Sequence, residues 1–382
     1  GIQVNGSKNP ETDPADSFNN TITHNRVGAL TRGEFGYAGG LPGNNLDGIA
    51  LSLSIQDTVA SNVIAGNGSN GILTQYAIDS TFESNIIGVI PHTAGGTTTY
   101  TAEPNVGDGI KMAYSTRNTL QNNIIAANLG DGIQLIGKSL KNSPVQDNTI
   151  QNNTIGLPGD IALGNRGNGV TLSGTAGNTV SPNVIQNNLG FGIRIVGEGS
   201  SGNNIGGSIS GAGRAAIQLD GQSGPTTVDG ADIETTLAEG ILVLSPNNTI
   251  KNTTVRGATL AALLIQGQNN TNNTVIDSTF RDQSALDRFA RHGPEHEQHG
   301  HRQHVPRQPD RHPPGRHHEP DHRPARPRQR HPQQHARRHR VRRQDARHRR
   351  HAPGRYPGQP HRPEPGRQGV QPQPDRHLPR RR

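Results

Sequence analysis

Apolar and polar residues alternate in short runs that recur along most of the chain. In Gly109–Asn128 the pattern is G-I-x-apolar, then a variable stretch, then N-T-apolar-x-x-N-x-I. Within each run the apolar positions lie two residues apart, which is the period of a β-strand. Gly, Asn, Asp and Ser separate the runs, as tight turns require. The pattern therefore predicts three short strands per repeat.

The G-I-x-apolar start of the repeat recurs at a nearly constant spacing. Its first residues are Gly1, Gly48, Gly71, Gly109, Gly132, Gly169, Gly192, Ala216, Gly240 and Ala262. Most successive starts are 22 to 24 residues apart, and the longer intervals of 37, 38 and 47 residues contain insertions. Such a repeat cannot bury its own apolar face and must stack on neighbours about 4.8 Å away. We predict an all-β protein, a right-handed parallel β-helix or solenoid of about ten coils.

Stacking assigns the repeated positions to the core or to the turns. The first strands should contribute one inward column from Ile49 to Ile241 and another from Leu51 to Val243. Asparagines precede the third strand at Asn62, Asn85, Asn123, Asn153 and Asn183. Their regular spacing predicts a hydrogen-bonded ladder along the stack rather than glycosylation sites.

The motif N-x-I-G followed by A-L-G-N-x-G-x-G-V, at Asn153–Val170, resembles the right-handed parallel β-helix repeat proteins of bacteria. Their fold is related to that of the pectate lyases, and the resemblance covers residues 1–287. The group includes polysaccharide lyases, hydrolases, epimerases, tailspike-like proteins and large secreted surface proteins without known catalysis. The resemblance therefore implies the fold and an extracellular or cell-surface location of bacterial type, and it leaves the activity open.

The charge is distributed in two opposite blocks. Residues 1–287 hold 13 basic and 22 acidic residues, whereas residues 288–382 hold 25 basic and 8 acidic residues and 16 of the 18 histidines. The second block is almost free of apolar residues, so we expect a disordered tail rich in Arg, His and Pro. A basic tail of this kind is typical of nucleic-acid binding and its histidines of metal binding.

A reading-frame change explains the tail better than either function. Back-translated and shifted by one base, Pro294–Gln308 can encode PNTNNTVTGNTFRDN, which matches ten of the thirteen positions of Asn270–Asp282. A new repeat start then falls at position 311, 23 residues after Arg288. We therefore predict an out-of-frame tail and no specific nucleic-acid partner. Codons 280–300 of the gene test this, because the shifted frame must restore the repeat.

Other features narrow the class of protein. Cysteine is absent, which excludes disulfides and thiolate sites, and no apolar run is long enough for a membrane span. The chain begins directly at a repeat start, so we expect a piece of a longer β-helix. Uncapped coil ends expose strand edges, which predicts end-to-end self-association.

Candidate functional residues lie at the outward third position of the repeat start. That column is polar in its middle, at Lys111, Gln134, Thr171, Arg194 and Gln218. Asp108 and Asp131 precede two of the repeat starts and offer oxygen ligands for Ca²⁺. Tyr76, Tyr100, Tyr114 and Phe191 are candidate sugar platforms. Asp before Gly is also ordinary turn chemistry, and Lys or Arg on an outward face is ordinarily solvated.

Two functions remain open at this point. One is non-catalytic adhesion or polysaccharide contact by a secreted or cell-surface segment. The other is a polysaccharide lyase, hydrolase or epimerase that acts on an anionic polymer in a groove near Lys111–Arg194, with these two cations as catalytic residues. The acidic motifs and Gly-His-Gly of polygalacturonase-like hydrolases and the DPHD motif of epimerases are missing from residues 1–287.

Overall fold

The chain winds through ten stacked coils. The structure, a computed structural model, describes residues 1–7, 17–28, 43–137 and 145–281. Each coil supplies three strands, and corresponding strands of successive coils pair in parallel. The predicted all-β parallel β-helix is therefore confirmed. Residues 288–382, with the predicted disorder and frame change, lie outside the described residues.

The first strands of the coils form a ten-stranded parallel sheet, the first-strand sheet. Repeat starts lie side by side in it, as Ile110 beside Ile133 and Ile133 beside Val170. Its strands are Ile2–Asn5, Ile49–Ser52, Ile72–Gln75, Ile110–Ala113, Ile133–Ile136, Val170–Ser173, Ile193–Val196, Ile217–Leu219, Ile241–Val243 and Leu263–Ile265.

The second and third strands form one sheet of 18 strands. They are joined because two long strands, Asn203–Ser210 and Thr226–Thr236, run through both positions of their coils. The other second strands are Thr21–Thr23, Thr58–Ala60, Thr81–Glu83, Thr119–Gln121, Thr149–Gln151, Thr179–Val180, Thr249–Lys251 and Thr274–Ile276. The other third strands are Arg26–Gly28, Val63–Ala65, Ile86–Ile87, Ile124–Ile125, Thr154–Ile155, Val184–Gln186, Thr254–Ala258 and Thr279–Arg281.

The core is a narrow set of columns between the two sheets. Both predicted columns of the first strands are buried, from Ile49 to Ile241 and from Leu51 to Val243, with Thr74 as a polar member of the second. The middle residues of the second and third strands fill the rest. Few apolar residues per coil suffice because each is covered by the coils above and below.

The predicted asparagine ladder is confirmed. Each side-chain amide donates to the side-chain oxygen of the next coil, from Asn62 to Asn85 and on to Asn123, Asn153 and Asn183, at 2.9 to 3.0 Å. Two further ladders occupy the other turns. One runs through Asn118, Asn148, Asn178 and Asn203, and the other through Asn67, Asn105, Asn128, Asn165 and Asn188.

Two inserted elements, a hairpin and a 3-10 helix, lie on the outer side of the third strands. Val89–Ala94 and Thr97–Ala102 form an antiparallel hairpin. Apolar residues of this hairpin pack with the outward Ile86 and Ile124 and with Leu163 of a 3-10 helix, Ile161–Leu163, in the later insertion. A short strand, Val145–Gln146, pairs with Thr175–Ala176. None of the described helical segments is long and apolar enough to cross a bilayer.

Candidate functional site

The polar column predicted on the first strands is a row across five adjacent strands. Lys111 lies beside Gln134, Gln134 beside Thr171, Thr171 beside Arg194, and Arg194 beside Gln218. Their side chains point away from the core because they alternate with the buried columns. Three strand spacings separate Lys111 from Arg194, roughly 14 Å at about 4.8 Å per strand. The two cations therefore share a face, and their backbone positions lie three coils apart.

Lys111 and Asp108 form an ion pair at the start of this row. The Lys111 Nζ lies 3.6 Å from Asp108 Oδ2, and the Asp108 side chain is only 12% exposed. Burial raises the pKa of the Asp108 carboxyl above its ordinary 3.8, and the nearby Asp131 adds repulsion. The Asp131 backbone N–H and Lys111 partly offset this rise in pKa. The Asp108 carboxyl group therefore lies where burial disfavours its ionised form.

Asp131 is held on both of its carboxylate oxygens. Oδ1 accepts from the Asn168 backbone N–H at 2.7 Å, and Oδ2 accepts from the Thr171 hydroxyl at 2.6 Å. Asp108 Oδ1 likewise accepts from the Asp131 backbone N–H at 2.8 Å. The residues before the repeat starts therefore form a fourth ladder, which runs from Asp47 through Asn70, Asp108, Asp131 and Asn168 to the backbone N–H of Phe191.

Arg194 lies at the other end of the row, among partners from the following coil. Its Nε donates to Gln218 Oε1 at 3.0 Å, and its NH2 lies 3.5 Å from Asp220 Oδ2. Asp220 was not among the predicted residues, although the register of the repeat places it one coil further along. Both predicted cations are thus paired with a carboxylate.

The predicted aromatic residues do not form a single platform. Tyr114 stacks on Tyr76 with ring centroids 5.2 Å apart, at the end of the first strands of two adjacent coils. Tyr100 belongs to the hairpin and packs with the outer face of the third strands. It is therefore separated from the row of Lys111 by the turn between the third and first strands. Phe191 lies beside Arg194.

The assignment of Asp108 and Asp131 as Ca²⁺ ligands stays a prediction, and the described residues do not support it. Calcium takes six to eight oxygen ligands, several of them usually carboxylates. No group of three or more His, Asp or Glu side chains in the described part of the chain converges on one position.

We expect Asp108→Asn to stabilise the protein at neutral pH. Between pH 3.8 and the higher pKa of the folded state, the native carboxyl retains a proton that the unfolded one has lost, so wild-type stability falls as pH rises through this window. The substituted amide carries no charge and keeps the oxygen that accepts from Asp131. The urea midpoint of the variant should therefore exceed that of wild type at pH 7, and the gain should vanish below pH 3.8.

Asp229→Asn is the control of opposite sign. Hydrogen bonds from Asn252 and Lys251 lower the pKa of Asp229 below 3.8, so its stabilising effect is present above that pH and is lost as pH falls through the folded-state pKa. This variant should unfold more easily than wild type at pH 7. Equal shifts in both variants would contradict the assigned role of burial at Asp108.

Two family models match the chain. One, described as "Periplasmic copper-binding protein (NosD)", matches residues 16–156 and 105–207. The other, described as "Right handed beta helix region", matches residues 161–288. Together they span nearly all of the ten coils.

Several solved structures are similar in outline. The A-module of the mannuronan C-5 epimerase AlgE6 of Azotobacter vinelandii is 16% identical, with 72% of this chain and 67% of that chain covered and a TM-score of 0.49. A GH87 α-1,3-glucanase of Streptomyces thermodiastaticus is 18% identical, with 63% and 45% covered and a TM-score of 0.39. The Streptococcus pneumoniae surface protein and adhesin PfbA is 16% identical, with 69% and 73% covered and a TM-score of 0.31. No residue role is transferred from these proteins.

The described residues do not fit a copper site. Copper sites in proteins use imidazole, thiolate and thioether ligands. The chain has no cysteine, and its one methionine, Met112, is fully buried in the core. Within the described ranges the histidines are His24, in the first coil, and His92, in the hairpin, and no cluster of three ligating side chains is formed.

The sequence repeat, the strand register and the two family models all indicate the same architecture. No curated protein shows significant sequence similarity to the chain. The ten in-register coils nevertheless form a parallel β-helix, and one of the two family models describes a right-handed one. The chain belongs to the right-handed parallel β-helix repeat proteins.

Proposed function

We propose that the outward face of the first-strand sheet, between Lys111 and Gln218, binds an anionic polysaccharide without catalysis. The observation that carries this proposal is the row of five polar side chains in register on adjacent strands, with a cation at Lys111 and another at Arg194. Thr171 and Gln218 are only 4% and 8% exposed, so Lys111, Gln134 and Arg194 are the members of the row that a repeating ligand would contact.

The spacing of the cations favours binding over chemistry. Because their strands lie roughly 14 Å apart at the spacing of a sheet, and each cation is turned toward a carboxylate of its own, they are placed to contact charges on different units of a polymer. Each cation already has a carboxylate partner, and Asp131 is fixed by the ladder and by Thr171.

One observation favours the enzymatic alternative. Asp108 combines a raised pKa with contact to Lys111 on the same face, and perturbed carboxyl groups are common at catalytic sites. A lyase, hydrolase or epimerase would then use Lys111 and Asp108 at one end of the row, with Arg194 binding a distant unit of the polymer.

The proposed location is outside the cytoplasm, in the periplasm, in the medium or at the cell surface. The matching family model carries a periplasmic description. Complete lack of cysteine is compatible with an oxidising compartment. Polysaccharides that could occupy a long row are found in these places, so the location and the proposed ligand agree.

Binding of polygalacturonate or alginate measured by calorimetry tests the proposal. We expect Lys111→Ala and Arg194→Ala each to weaken binding, and the double variant to weaken it at least tenfold, the equivalent of about 1.4 kcal/mol. Raised salt should weaken wild-type binding as well, because exposed charges are screened.

Lys251→Ala is the matched control, because Lys251 is similarly exposed and pairs with Asp229 on the second strands. It should leave the affinity unchanged. Equal losses in the control and in the row variants would remove the case for a specific face. Polymer cleavage or epimerisation that depends on Lys111 and Asp108 would establish the enzymatic alternative instead.

A further inference from the structure

Phe191 gathers two arginines at one end of the polar row. It lies in the turn that leads into the strand Ile193–Val196, and its side chain is only 8% exposed. The guanidinium carbon of Arg194 lies 5.7 Å from the centre of its ring, and that of Arg214 lies 5.4 Å from it. Arg214 comes from the corresponding turn of the next coil, where its backbone N–H donates to Gly190. We call these three residues the Phe191 cluster.

The two arginines of the cluster differ in their partners. Arg194 contacts Gln218 and Asp220, and its 3.5 Å separation from Asp220 is longer than that of a direct charge-assisted hydrogen bond, about 2.7–2.9 Å. Arg214 is exposed, and within the described residues it forms no ion pair. Two cations thus share one ring, and among the described residues only Arg194 is paired with a carboxylate.

The two positive charges of the Phe191 cluster are not both balanced by a paired carboxylate among the described residues. Two guanidinium groups held near each other repel, and the negative faces of an aromatic ring offset only part of that repulsion. An arginine presents a planar fork of N–H donors that matches a carboxylate group. A carboxylate beside the exposed Arg214 would supply the ion-pair partner that this arginine lacks within the described residues, and Arg194, whose side chain is 35% exposed, is a second donor at the same ring.

An apolar surface lies next to these cations. Leu189 is 43% exposed, in the same turn as Phe191 and two residues before it. Leu189 lies beside the cluster in the turn between the third and first strands. Leu129 occupies the equivalent position of this turn two coils earlier. An apolar side chain next to paired cations suits a ligand with both a hydrocarbon face and a carboxylate, as an acidic sugar has.

We propose that the Phe191 cluster is a subsite for the carboxylate of a uronate unit, and that it makes the row selective for acidic over neutral or esterified sugars. The inference rests on the proposed polysaccharide-binding function and assigns a specific chemical preference to one end of the row. Arg214 is its specificity-determining residue, Arg194 shares the carboxylate, and Phe191 orients both guanidinium groups.

Titration of the protein with an oligogalacturonate and with its methyl-esterified form tests this subsite. Wild type should bind the free acid more tightly than the ester. We expect Arg214→Gln to weaken acid binding about tenfold, as for the loss of a charge-assisted hydrogen bond, with little change for the ester. Arg214→Lys, which keeps the charge but not the fork, should retain part of the preference for the acid.

Arg166→Gln is the matched control, because Arg166 is an exposed arginine of the same turn two coils earlier. It should leave both affinities unchanged, and circular dichroism should show that all variants are folded. Equal losses for acid and ester, or equal effects of Arg214→Gln and Arg166→Gln, would overturn the subsite. If Lys111→Ala weakens acid binding and Arg214→Gln does not, the proposed function stands and the subsite fails. If wild type binds neither oligomer, both fail.

Discussion

Asn203→Ala is expected to lower the free energy of unfolding by about 3 kcal/mol or more, from the loss of several buried hydrogen bonds at about 1–3 kcal/mol each. Asn203 is 1% exposed, and its side-chain oxygen accepts from both the backbone N–H and the amide of Asn178, at 3.0 and 2.9 Å. Its own amide donates to Thr175 O at 3.0 Å. The alanine variant leaves these three groups buried without partners, and urea unfolding followed by circular dichroism measures the cost.

The adjacent Asn204 provides the control. It lies on the same strand and faces outward, where water can replace any contact that is lost. Asn204→Ala should change the unfolding free energy by no more than about 0.5 kcal/mol, as is usual for surface substitutions. If the two alanine variants proved equally stable, the hydrogen bonds of the ladder would not contribute to the stability of the protein.

The ladders show how far a repeat can be predicted from sequence. Asn118, Asn123 and Asn128 follow one another at intervals of five residues, and each belongs to a different ladder. Only the ladder of Asn123 was predicted. The other two carry the same signal, because a coil with three similar turns needs a capping side chain at each of them.

The face that carries the candidate site was predictable because strand alternation and repeat period together fix its register. Lys111, Gln134, Thr171, Arg194 and Gln218 form the row as expected. The partners of the cations were harder to identify. Asp220 reaches Arg194 from the next coil, and Arg214 reaches Phe191 across a turn. Such diagonal contacts depend on side-chain length and direction, which a periodic pattern does not specify.

The insertions could not be placed from sequence, because they interrupt the period that orders everything else. Two of them end directly before Asp108 and Asn168, next to the polar row. The hairpin instead packs on Ile86 and Ile124, which face outward from the third strands. The same outward column holds valine or a polar residue in the other coils, and two successive isoleucines there are the signal that the surface is covered.

The glycine that starts eight of the ten coils is expected to be nearly as sensitive to substitution as the ladders. A methyl group built on Gly132 would lie 2.5 Å from Cγ2 of Ile155 and 2.7 Å from the carbonyl oxygen of Gly169. That oxygen accepts the backbone N–H of Ile133, so the clash cannot be relieved without disturbing the sheet. Gly132→Ala should therefore lower the free energy of unfolding by about 1–3 kcal/mol, the usual cost of overpacking.

Gly221→Ala is the control for this substitution, because its nearest contact, Leu244 O, is 3.2 Å away. It should be much less destabilising than Gly132→Ala. In the Gly132→Ala background, Ile155→Leu should recover part of the loss, because leucine has no methyl branch at Cβ. A double-mutant cycle measures this coupling, and strictly additive effects would show that Ile155 is not what excludes a side chain from the start of the coil. Only the close approach of the backbone of the next coil would then exclude a side chain at the start of the first strand.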